Sequence, residues 1–475
     1  MAQIFDTNSS HKNNKQARLK ALDLAHIWHP CTQMKDHASY QNNGENVPLI
    51  AIKKAKGVYL YDFEGNKYID CVSSWWVNLF GHQNPHIKKA IKKQLDKLEH
   101  IILAGFSHKQ IIRFSHRLTK ILPKSLSKCF YADNGSSAIE VALKMSYQYH
   151  KNIALKSNQN LNSTKLESST ANKRTKFLTL TNAYHGETLG ALSVGDVGLY
   201  KDIYKPLLLE CITTPVPKHN GNTLTPAKSN NYQKELDALK QILQKEGENI
   251  CAFILEPIIQ CAGGMHIYPS DFVKKACEMT RKYGILIIFD EIAVGFGRSG
   301  SMFALEQCGI VPDFLCLSKG ISGGYLPLSV VVTSDKIYNA FYAPYNSNLG
   351  FLHSHSYTGN ALACVAANAV LDIFASQNII EKNKTLSAFI ASHWHKLRKL
   401  KNVKNVRYCG MIFALDIISS KHKRAGLEVF KRGLKKGLLL RPLGDTIYFM
   451  PPFSIRKKQV KFVIENLTDI LKNLF

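Results

Sequence analysis

Two short apolar runs, each ending beside a charged side chain, constrain the fold of this 475-residue chain more than any other feature. The run at 285–289 is followed by Asp290, and the run at 314–317 is followed by Ser318 and Lys319. Runs of this length without alternation are typical of strands buried on both faces of a parallel sheet. We therefore predict an α/β fold with a carboxylate and an amine over one crevice, beyond the carboxyl ends of two neighbouring strands.

The combination of Asp290 and Lys319 points to one kind of chemistry. In the ordinary reading, Asp290 caps the next helix and Lys319 is one of many solvated lysines in a chain with 62 lysines and arginines. However, a lysine between a buried strand and a glycine is poorly placed for solvation alone. Pyridoxal phosphate (PLP) chemistry uses both groups, because the amine holds the aldehyde as a Schiff base and the carboxylate keeps the ring nitrogen protonated. Both readings are open on this pattern.

The composition suits a globular enzyme with room for two or three domains, since 45% of residues are hydrophobic and 20% are charged. The net charge of +27 raises the possibility of a nucleic-acid partner. The lysines are scattered without a compact basic block, so we expect no such partner. Eleven cysteines without a CxxC pair indicate reduced thiols in a cytoplasmic protein. No apolar run approaches the ~20 residues of a membrane span, and we expect no signal sequence.

The N-terminal stretch contains an aromatic segment, HIWHPCTQMKD, after a polar beginning. Residues 1–20 are polar and are predicted to be frayed. The aromatic segment is predicted to be a loop that packs Trp28 against the body of the protein. His26, His29 and Cys31 could be drawn as metal ligands, but no second ligand pair follows at the spacing of a zinc site. We therefore predict no metal site.

The pattern of apolar residues divides the chain into three parts. We predict an N-terminal segment that joins the small domain at 1–72, a large cofactor-binding domain at 73–376 and a smaller α+β domain at 377–475. The division rests on a change near residue 377, after which a basic amphipathic helix at 380–400 leads into short strands. The stretch at 151–175 is rich in Asn, Ser, Thr and Lys, and is predicted to be a surface insertion.

Three further stretches carry candidate ligand-binding groups. In DNGSS at 133–137 a strand runs into a helix, whose free N–H groups could bind phosphate or simply be capped. In AYHGET, Tyr184 follows a strand and could stack on a flat ring or close the core. In SSWW, Trp75 and Trp76 are adjacent, and on a strand they would point to opposite faces. One of these tryptophans could then face a pocket.

A glycine-rich stretch at 295–300 gives a competing hypothesis, a dinucleotide-binding oxidoreductase, because it matches GxGxxG. The glycines begin five residues after the apolar run rather than at its end. No acidic strand end falls about 20 residues later, as that fingerprint requires. We therefore interpret the stretch as a glycine-rich loop.

Taken together, these motifs resemble the class III, fold-type I, PLP-dependent aminotransferases over nearly the whole chain. FDEIAVGFGRSG followed by LSKG matches the family's ring-nitrogen acid, Asp290, and its Schiff-base lysine, Lys319. DNGSS matches the phosphate cup with Gly135 and Ser136, and AYHGET places Tyr184 over the cofactor. The resemblance implies a large, mostly parallel sheet domain with helices on both faces and a smaller α+β domain.

The resemblance also implies a homodimer with shared active sites. HSHSYTGN at 353–360 matches a loop that crosses to the partner subunit. By this match the hydroxyl of Ser356, with His355 beside it, reaches the phosphate in the other subunit's site.

Within the class, HIWHPCTQM, SSWW and RPLGDTIYFMPP most resemble the branch that aminates 8-amino-7-oxononanoate in biotin synthesis. This implies that Arg441 binds the carboxylate of the keto acid bidentately. It also implies substrate contacts for Trp75, Trp76, Tyr448 and Ser354, besides Tyr184. Flat aromatics can pack against an adenine and attract a sulfonium, which favours S-adenosylmethionine as the amino donor.

One residue departs from that branch. Its substrate-contacting tyrosine in the HPYT segment is replaced by Cys31, and a thiol lacks the reach and the strong hydrogen bond of a phenol. CTQMKD, GGYLPLSV and HSYTGN are close to a variant that uses lysine as donor. Lysine is therefore the alternative donor, and an ω-aminotransferase of the ornithine or 4-aminobutyrate type is the alternative activity.

Overall fold

The computed structural model describes residues 12–38, 47–159, 173–218 and 232–474. Its strands are β1 Ile52–Lys56, β2 Tyr59–Asp62, β3 Lys67–Asp70, β4 Lys128–Ala132, β5 Lys176–Leu180, β6 Cys211–Thr214, β7 Ile250–Leu255, β8 Ile259–Gln260, β9 His266–Ile267, β10 Leu286–Asp290, β11 Phe314–Leu317, β12 Ser329–Thr333, β13 Val403–Cys409, β14 Ile412–Ile417, β15 Leu438–Leu439 and β16 Thr446–Phe449.

The helical segments lie between these strands and at both ends of the described chain. They are α1 Lys12–His26, α2 Met34–Ala38, α3 Ser73–Trp76, α4 Pro85–Leu95, α5 Lys109–Ile121, α6 Gly135–Gln159, α7 Leu189–Ser193, α8 Gly198–Lys201, α9 Gln233–Glu246, α10 Ser270–Arg281, α11 Leu305–Cys308, α12 Asp335–Phe341, α13 Ala361–Gln377, α14 Ile379–Trp394, α15 Ala425–Lys435 and α16 Lys457–Lys472. Short 3₁₀ segments occur at Asp202–Leu207, Lys319–Ser322, Tyr345–Ser347 and His395–Lys399.

A seven-stranded sheet in the order β4-β12-β11-β10-β7-β5-β6 forms the centre of the molecule. Strand β12 runs antiparallel to both of its neighbours, and the other adjacent strands are parallel. Strands β10 and β11 are buried throughout and pair directly, with Asp290 opposite Cys316. The predicted α/β fold is confirmed, and the two apolar runs that led to it are adjacent strands.

The two faces of this sheet are buried in different layers because successive side chains of a strand point to opposite sides. Ile288 packs with residues of α6 such as Val141, in one apolar cluster. Its neighbours Ile287 and Phe289 belong to the main core, together with Phe272 of α10. Burial on both faces explains why these strands are continuous apolar runs rather than alternating ones.

The N-terminal and C-terminal parts of the chain share a second sheet. Its order is β1-β2-β3-β15, and β15 pairs parallel to β3 with Leu438 opposite Ile69. Strands β2 and β3 of this sheet pair antiparallel and form a hairpin. Strands β13, β14 and β16 form a third, antiparallel sheet. The three-part division at residues 72 and 376 stays a prediction.

Two expectations for the N-terminal part were wrong. Helix α1 begins at Lys12, so the second half of the stretch expected to be frayed is helical, while residues 1–11 lie outside the described residues. Trp28 is 87% exposed and does not pack against the body of this chain. The predicted insertion at 151–175 is helical up to Gln159, and residues 160–172 lie outside the described residues.

Helix α13 is the most apolar long helix and is buried along most of its length. Within the described ranges, no single helix is both long and apolar enough to cross a membrane. The stretch Ala361–Gln377 meets those criteria only together with Ile379–Lys399, across a bend of 74°.

Candidate active site

The carboxyl ends of the central strands surround a cavity of about 430 Å³. Asp290 ends β10, Lys319 lies two residues beyond β11, and Glu256 directly follows β7. These strands are neighbours in the sheet, so the three titratable side chains line the same cavity. This is the location expected for a ligand site in an open α/β sheet. The structure thus brings Asp290 and Lys319 together as predicted, while their chemical roles stay predictions.

Lys319 reaches the cavity from a strained backbone. Its φ of 43° lies in the left-handed region, at the start of the 3₁₀ segment after β11. Its Nζ lies 5.2 Å from the centre of the Trp76 ring, within range of a cation–π interaction. Burial lowers the pKa of the Lys319 amine, and Asp290 opposes this effect in part. A lysine with a lowered pKa is available as a nucleophile and as a proton acceptor.

The carboxylate of Asp290 is held by two donors on opposite oxygens. His185 Nδ1 lies 2.8 Å from Oδ2, and the backbone N–H of Ile292 donates to Oδ1 at 3.0 Å. His185 is buried, and its Nε2 has no hydrogen-bond partner among the described residues. The sequence predictions missed His185, although it follows Tyr184 in AYHGET. Its contact fixes the position of the Asp290 carboxylate.

Glu256 is a second buried carboxyl group in the cavity, and the predictions missed it as well. Its two oxygens accept the backbone N–H groups of Tyr184 at 3.2 Å and Cys261 at 3.0 Å. Burial, and then the nearby charge of Asp290, raises the pKa of Glu256 to about 8. The strand-end rule that located Asp290 would have found Glu256 too, because it follows the apolar run AFIL.

The start of α6, where the phosphate cup was predicted, lines one side of the cavity. Asn134 caps the helix by accepting the N–H of Ser137 at 3.0 Å, while the other first-turn N–H groups have no acceptor within the helix. Ser136 Oγ also accepts the N–H of Glu187 at 3.3 Å, which ties the helix start to the AYHGET segment. Gly186 has a φ of 126°, and a Cβ there would lie 2.1 Å from Ser136 Oγ. A glycine is therefore required at position 186.

Tyr184 lines the cavity beside this cup. Its hydroxyl donates to Glu187 Oε1 at 2.9 Å, and its ring meets that of Tyr200 edge-on at 5.4 Å. Burial and the carboxylate of Glu187 raise the pKa of Tyr184, so the phenol stays protonated. The structure leaves a neutral aromatic ring at the place predicted for stacking.

A groove of about 340 Å³ adjoins the cavity and contains four of the predicted substrate residues, namely Cys31, Trp75, Arg441 and Tyr448. Arg441 Nη2 donates to the carbonyl of Cys31 at 3.1 Å, and the guanidinium lies 5.7 Å from the centre of the Trp75 ring. Within the described ranges the guanidinium of Arg441 makes no ion pair with a carboxylate. Its charge is available for an anionic ligand.

The two tryptophans of SSWW lie on α3, which is a single left-handed turn and not the predicted strand. The φ angles of Ser73, Ser74, Trp75 and Trp76 are 50°, 49°, 70° and 74°. Residues with a Cβ lose roughly 1–2 kcal/mol each in this conformation. The turn directs Trp76, which is buried, into the Lys319 cavity and leaves Trp75, 42% exposed, in the groove. Both tryptophans therefore line a candidate binding region.

The predicted partner-crossing loop lies outside this chain's own cavity. Ser354 and Ser356 are exposed, and neither lines the cavity. His355 Nδ1 lies 3.8 Å from Asp133 Oδ2, and its Nε2 lies 3.1 Å from His353 Nε2. Asp133 borders the phosphate cup, so the loop is anchored next to the cavity without entering it. The roles predicted for Ser354, His355 and Ser356 stay predictions.

Comparison with known proteins identifies the family. The family model described as Aminotransferase class-III matches residues 40–471. The chain belongs to the class-III aminotransferase family. This aminotransferase is 54% identical to the adenosylmethionine-8-amino-7-oxononanoate aminotransferase of Helicobacter pylori, over 97% of the chain and 99% of the relative. It is 37% identical to the protein of the same name from Staphylococcus aureus, again over 97% and 99%.

Solved structures support the same family. The crystal structure of adenosylmethionine-8-amino-7-oxononanoate aminotransferase from Methanocaldococcus jannaschii matches with a TM-score of 0.84 and 35% identity, over 96% of this aminotransferase and 99% of that chain. A PLP-bound amine transaminase from an uncultivated Pseudomonas species matches with a TM-score of 0.81 and 28% identity, over 95% and 99%. The fold-type I assignment is confirmed.

This aminotransferase depends on PLP, as its family does. The cavity fits the cofactor because it combines an amine, a fixed carboxylate and a helix start that binds anions. Gly186 provides the space that Ser136 needs at the start of α6. The family assignment excludes the dinucleotide-binding alternative, and residues 295–300 form turns after β10.

Proposed function

We propose that this chain transfers an amino group to 8-amino-7-oxononanoate, giving 7,8-diaminononanoate for biotin synthesis. The observation that carries the proposal is the guanidinium of Arg441, which lies over Trp75 and makes no ion pair among the described residues, in a groove that adjoins the Lys319 cavity. An aminotransferase for this keto acid needs a site for a carboxylate at some distance from the reacting amine. The relatives at 54% and 37% identity carry the name of this activity, which supports the same assignment.

The residues of the cavity provide each contact that PLP requires. Gly135 and Ser136 would hold its phosphate, Asp290 its ring nitrogen, Tyr184 its ring and Lys319 its aldehyde carbon. When bound, PLP supplies a protonated ring that accepts electrons from the substrate carbon carrying the amino group. His185 supports this by fixing the position of the Asp290 side chain.

Lys319 is the residue that moves the proton. Its pKa is lowered by burial, so the amine can take a proton from the carbon of the donor and return it to a neighbouring carbon. The face of Trp76 lies where it stabilises the ammonium form during this transfer. The protonated form of Glu256, with its raised pKa, avoids a second negative charge beside Asp290.

Substrate recognition takes place in the groove. Arg441 binds the carboxylate of the keto acid, which a guanidinium holds bidentately. For the amino donor we favour S-adenosylmethionine, since the aromatic residues Trp75 and Tyr448 line the groove and flat aromatics suit an adenine and a sulfonium. Lysine is the second candidate, because Cys31 replaces the tyrosine usual in the adenosylmethionine-using form.

We also propose a cytoplasmic homodimer with active sites shared between subunits. Ser356 is exposed, and in the sequence before it Leu352 is 94% and Tyr345 100% exposed to water. A second copy of the chain would bury them. The eleven cysteines are all free, which suits a reducing compartment.

A single-turnover titration tests the proposed function. The PLP form is mixed with each donor, and loss of its band near ~420 nm is followed before the keto acid is added and its amination is measured. We expect loss with S-adenosylmethionine, followed by recovery of the band with 8-amino-7-oxononanoate. Loss with lysine alone would overturn the choice of donor. No recovery with the keto acid would overturn the proposed acceptor.

A further inference from the structure

Asp70 is a fully buried carboxylate that holds the left-handed turn α3. Its Oδ1 accepts the N–H groups of Ser74 at 2.9 Å and Val72 at 3.4 Å. Its Oδ2 accepts the hydroxyl of Ser74 at 2.7 Å and lies 3.0 Å from His82 Nε2. Both oxygens are therefore used, and Ser74, in the centre of the turn, is bound twice.

The same turn is anchored on both sides to other parts of the fold. Ser73 Oγ donates to the carbonyl of Met450 at 2.7 Å, and the N–H of Met450 donates to the carbonyl of Cys71 at 2.9 Å. His82 exchanges two backbone hydrogen bonds with Gly57, at 2.7 and 2.9 Å. Asp70 lies between these anchors, so it connects the turn to two separate segments of backbone.

Local preference opposes the conformation of this turn. None of its four residues is glycine, and each has a φ that side chains with a Cβ disfavour. Such a backbone persists only where the surrounding contacts outweigh its strain. The bonds from Asp70 to Ser74 are the contacts that act at the middle of the turn.

The turn sets two cation–aromatic contacts at once. Lys319 Nζ lies 5.2 Å from the centre of the Trp76 ring, and the Arg441 guanidinium lies 5.7 Å from the centre of the Trp75 ring. Because the two tryptophans are adjacent residues of a fixed turn, their separation is fixed by its backbone. The distance between the Lys319 amine in the cavity and the Arg441 guanidinium in the groove therefore depends on the separation of the two rings.

We propose that Asp70 is a positioning residue that determines substrate specificity. By holding α3 left-handed, it fixes the distance between the amine of Lys319 and the carboxylate site at Arg441, and so selects keto acids of a given length. The inference rests on the proposed function for the identity of the substrate. The conformation of the turn, however, is measurable without any substrate.

Circular dichroism of the holoenzyme provides that measurement. Two adjacent indoles couple, and the spectrum of the native protein minus that of Trp75→Phe defines their couplet. Among the described residues, neither Trp28 nor Trp394 makes a ring contact with another tryptophan, and Trp394 stacks on Phe449 in the core. We expect Asp70→Ala to lose the couplet. It should also raise KM for the keto acid at least ~10-fold, while the cofactor band near ~420 nm remains.

Asp62→Ala is the matched control. Asp62 is another buried carboxylate of the same sheet, and it also accepts four hydrogen bonds, from Glu64, Asn66 and Tyr68. It organises a hairpin turn and lines neither the cavity nor the groove. We expect the couplet and KM to be unchanged in this variant. Equal losses in both variants would show that damage to the sheet, not to the turn, is responsible, and would overturn the proposal.

A glycine in the turn provides a rescue experiment. It should compensate for the loss of Asp70 if Asp70 acts by holding the turn, but not if Asp70 has only a general structural role. Glycine adopts positive φ without strain, so Asp70→Ala/Ser74→Gly should regain the couplet and lower KM at least ~3-fold relative to Asp70→Ala. If Asp70→Ala fails to fold, Ser74→Ala removes only the hydroxyl bond and should raise KM ~2- to 5-fold with a weaker couplet. An intact couplet with unchanged KM in Asp70→Ala or in Ser74→Ala overturns the proposal. If 8-amino-7-oxononanoate proves not to be the substrate, the result for the couplet still tests the role of Asp70 in the turn.

Discussion

At the scale of single residues, two nearby carboxyl groups of the cavity, those of Asp290 and Glu256, have different surroundings. Asp290 has His185 and a backbone N–H to stabilise its negative charge. Glu256 is buried beside that charge, and the pKa of its carboxyl is raised to about 8. Near neutral pH Glu256 therefore carries a proton, which avoids a second negative charge in the cavity.

The raised pKa of Glu256 has a consequence for stability. An unfolded glutamate ionises near pH 4.5, whereas the folded one ionises near 8, so the stabilisation is complete below pH 4.5 and is lost as pH rises through 8. The slope is at most about 1.4 kcal/mol per pH unit for one group. We expect the temperature midpoint of unfolding of the cofactor-free chain to decrease as the pH is raised from 5.5 to 8. The decrease should be smaller in Glu256→Gln.

Glu246→Gln serves as the control for this experiment. Hydrogen bonds from Asn249 and then Lys176 lower the pKa of Glu246, so this group is ionised in both states above pH 5. Its removal should leave the slope between pH 5.5 and 8 unchanged. Burial also raises the pKa of Glu291 to about 8. Glu291 is present in all three proteins and contributes equally to their slopes. Identical slopes in the native chain and Glu256→Gln would contradict a protonated Glu256.

Arg441 gives the second expectation at this scale. If it binds the keto-acid carboxylate, Arg441→Ala should weaken that substrate by ~2–4 kcal/mol, the range for a charge pair that loses one partner. The half-reaction with the amino donor should change much less. Separate stopped-flow measurements of the two half-reactions check this.

The control for Arg441 lies in the same groove. Arg424 also lines it, but its guanidinium already pairs with Asp36 at 2.8 Å. Arg424→Ala should therefore change the affinity for the keto acid by less than about 1 kcal/mol. Equal damage to both half-reactions by Arg441→Ala would point to a structural arginine instead.

At the scale of elements, the cofactor's phosphate site depends on how closely two segments approach. Gly186 allows the AYHGET segment to pass against Ser136 at the start of α6. In Gly186→Ala the added Cβ would displace Ser136 and reorient the first helical turn. We expect at least a ~10-fold weaker affinity for PLP, because we propose that the helix-start N–H groups and the Ser136 hydroxyl bind its phosphate. Equilibrium dialysis of the cofactor measures this.

Gly309→Ala separates the effect of the clash from that of backbone strain. Gly309 has a φ of 61°, and a Cβ there meets no atom within 4 Å. This variant has the cost of a positive φ without any displacement of the phosphate cup. We expect its affinity for PLP to equal that of the native chain. A similar loss of affinity in both glycine variants would contradict the proposed cup.

How far the sequence predicts these elements depends on the range of the interactions that form them. The strands ending at Asp290 and before Lys319 were predictable, because continuous burial on both faces leaves an uninterrupted apolar run. The turn α3 was not, because no glycine marks its positive φ angles and it is held by Asp70 and by backbone distant in sequence. His185 was missed because nothing in the pattern indicates its contact with Asp290, which is 105 residues away.

At the scale of the whole molecule, the proposed sharing of active sites between two subunits can be tested by combining two inactive variants. Lys319→Ala lacks the amine, and Ser356→Asp would repel the phosphate in its partner's site. A heterodimer of the two variants would contain one intact site, made of the native Lys319 and the partner's native Ser356. With random pairing, co-expression should restore about a quarter of native activity.

The control for this experiment pairs two variants of the same chain's cavity. Lys319→Ala with Asp290→Asn leaves each site damaged in any pairing, and should restore nothing. Recovery with this pair, or none with Ser356→Asp, would contradict a site completed by the partner's loop. Either result would leave the family assignment unaffected.

The pairing of β15 with β3 has a consequence for the order in which the protein is made. Leu438 must be synthesised before Ile69 has its parallel neighbour. At 5–20 residues per second, translation takes roughly 20 to 75 seconds to reach it after β3 has left the ribosome. Throughout that interval β3 presents an open edge to other nascent chains. The central sheet is complete by residue 333, so it is finished before the ribosome releases the strand that pairs with β3.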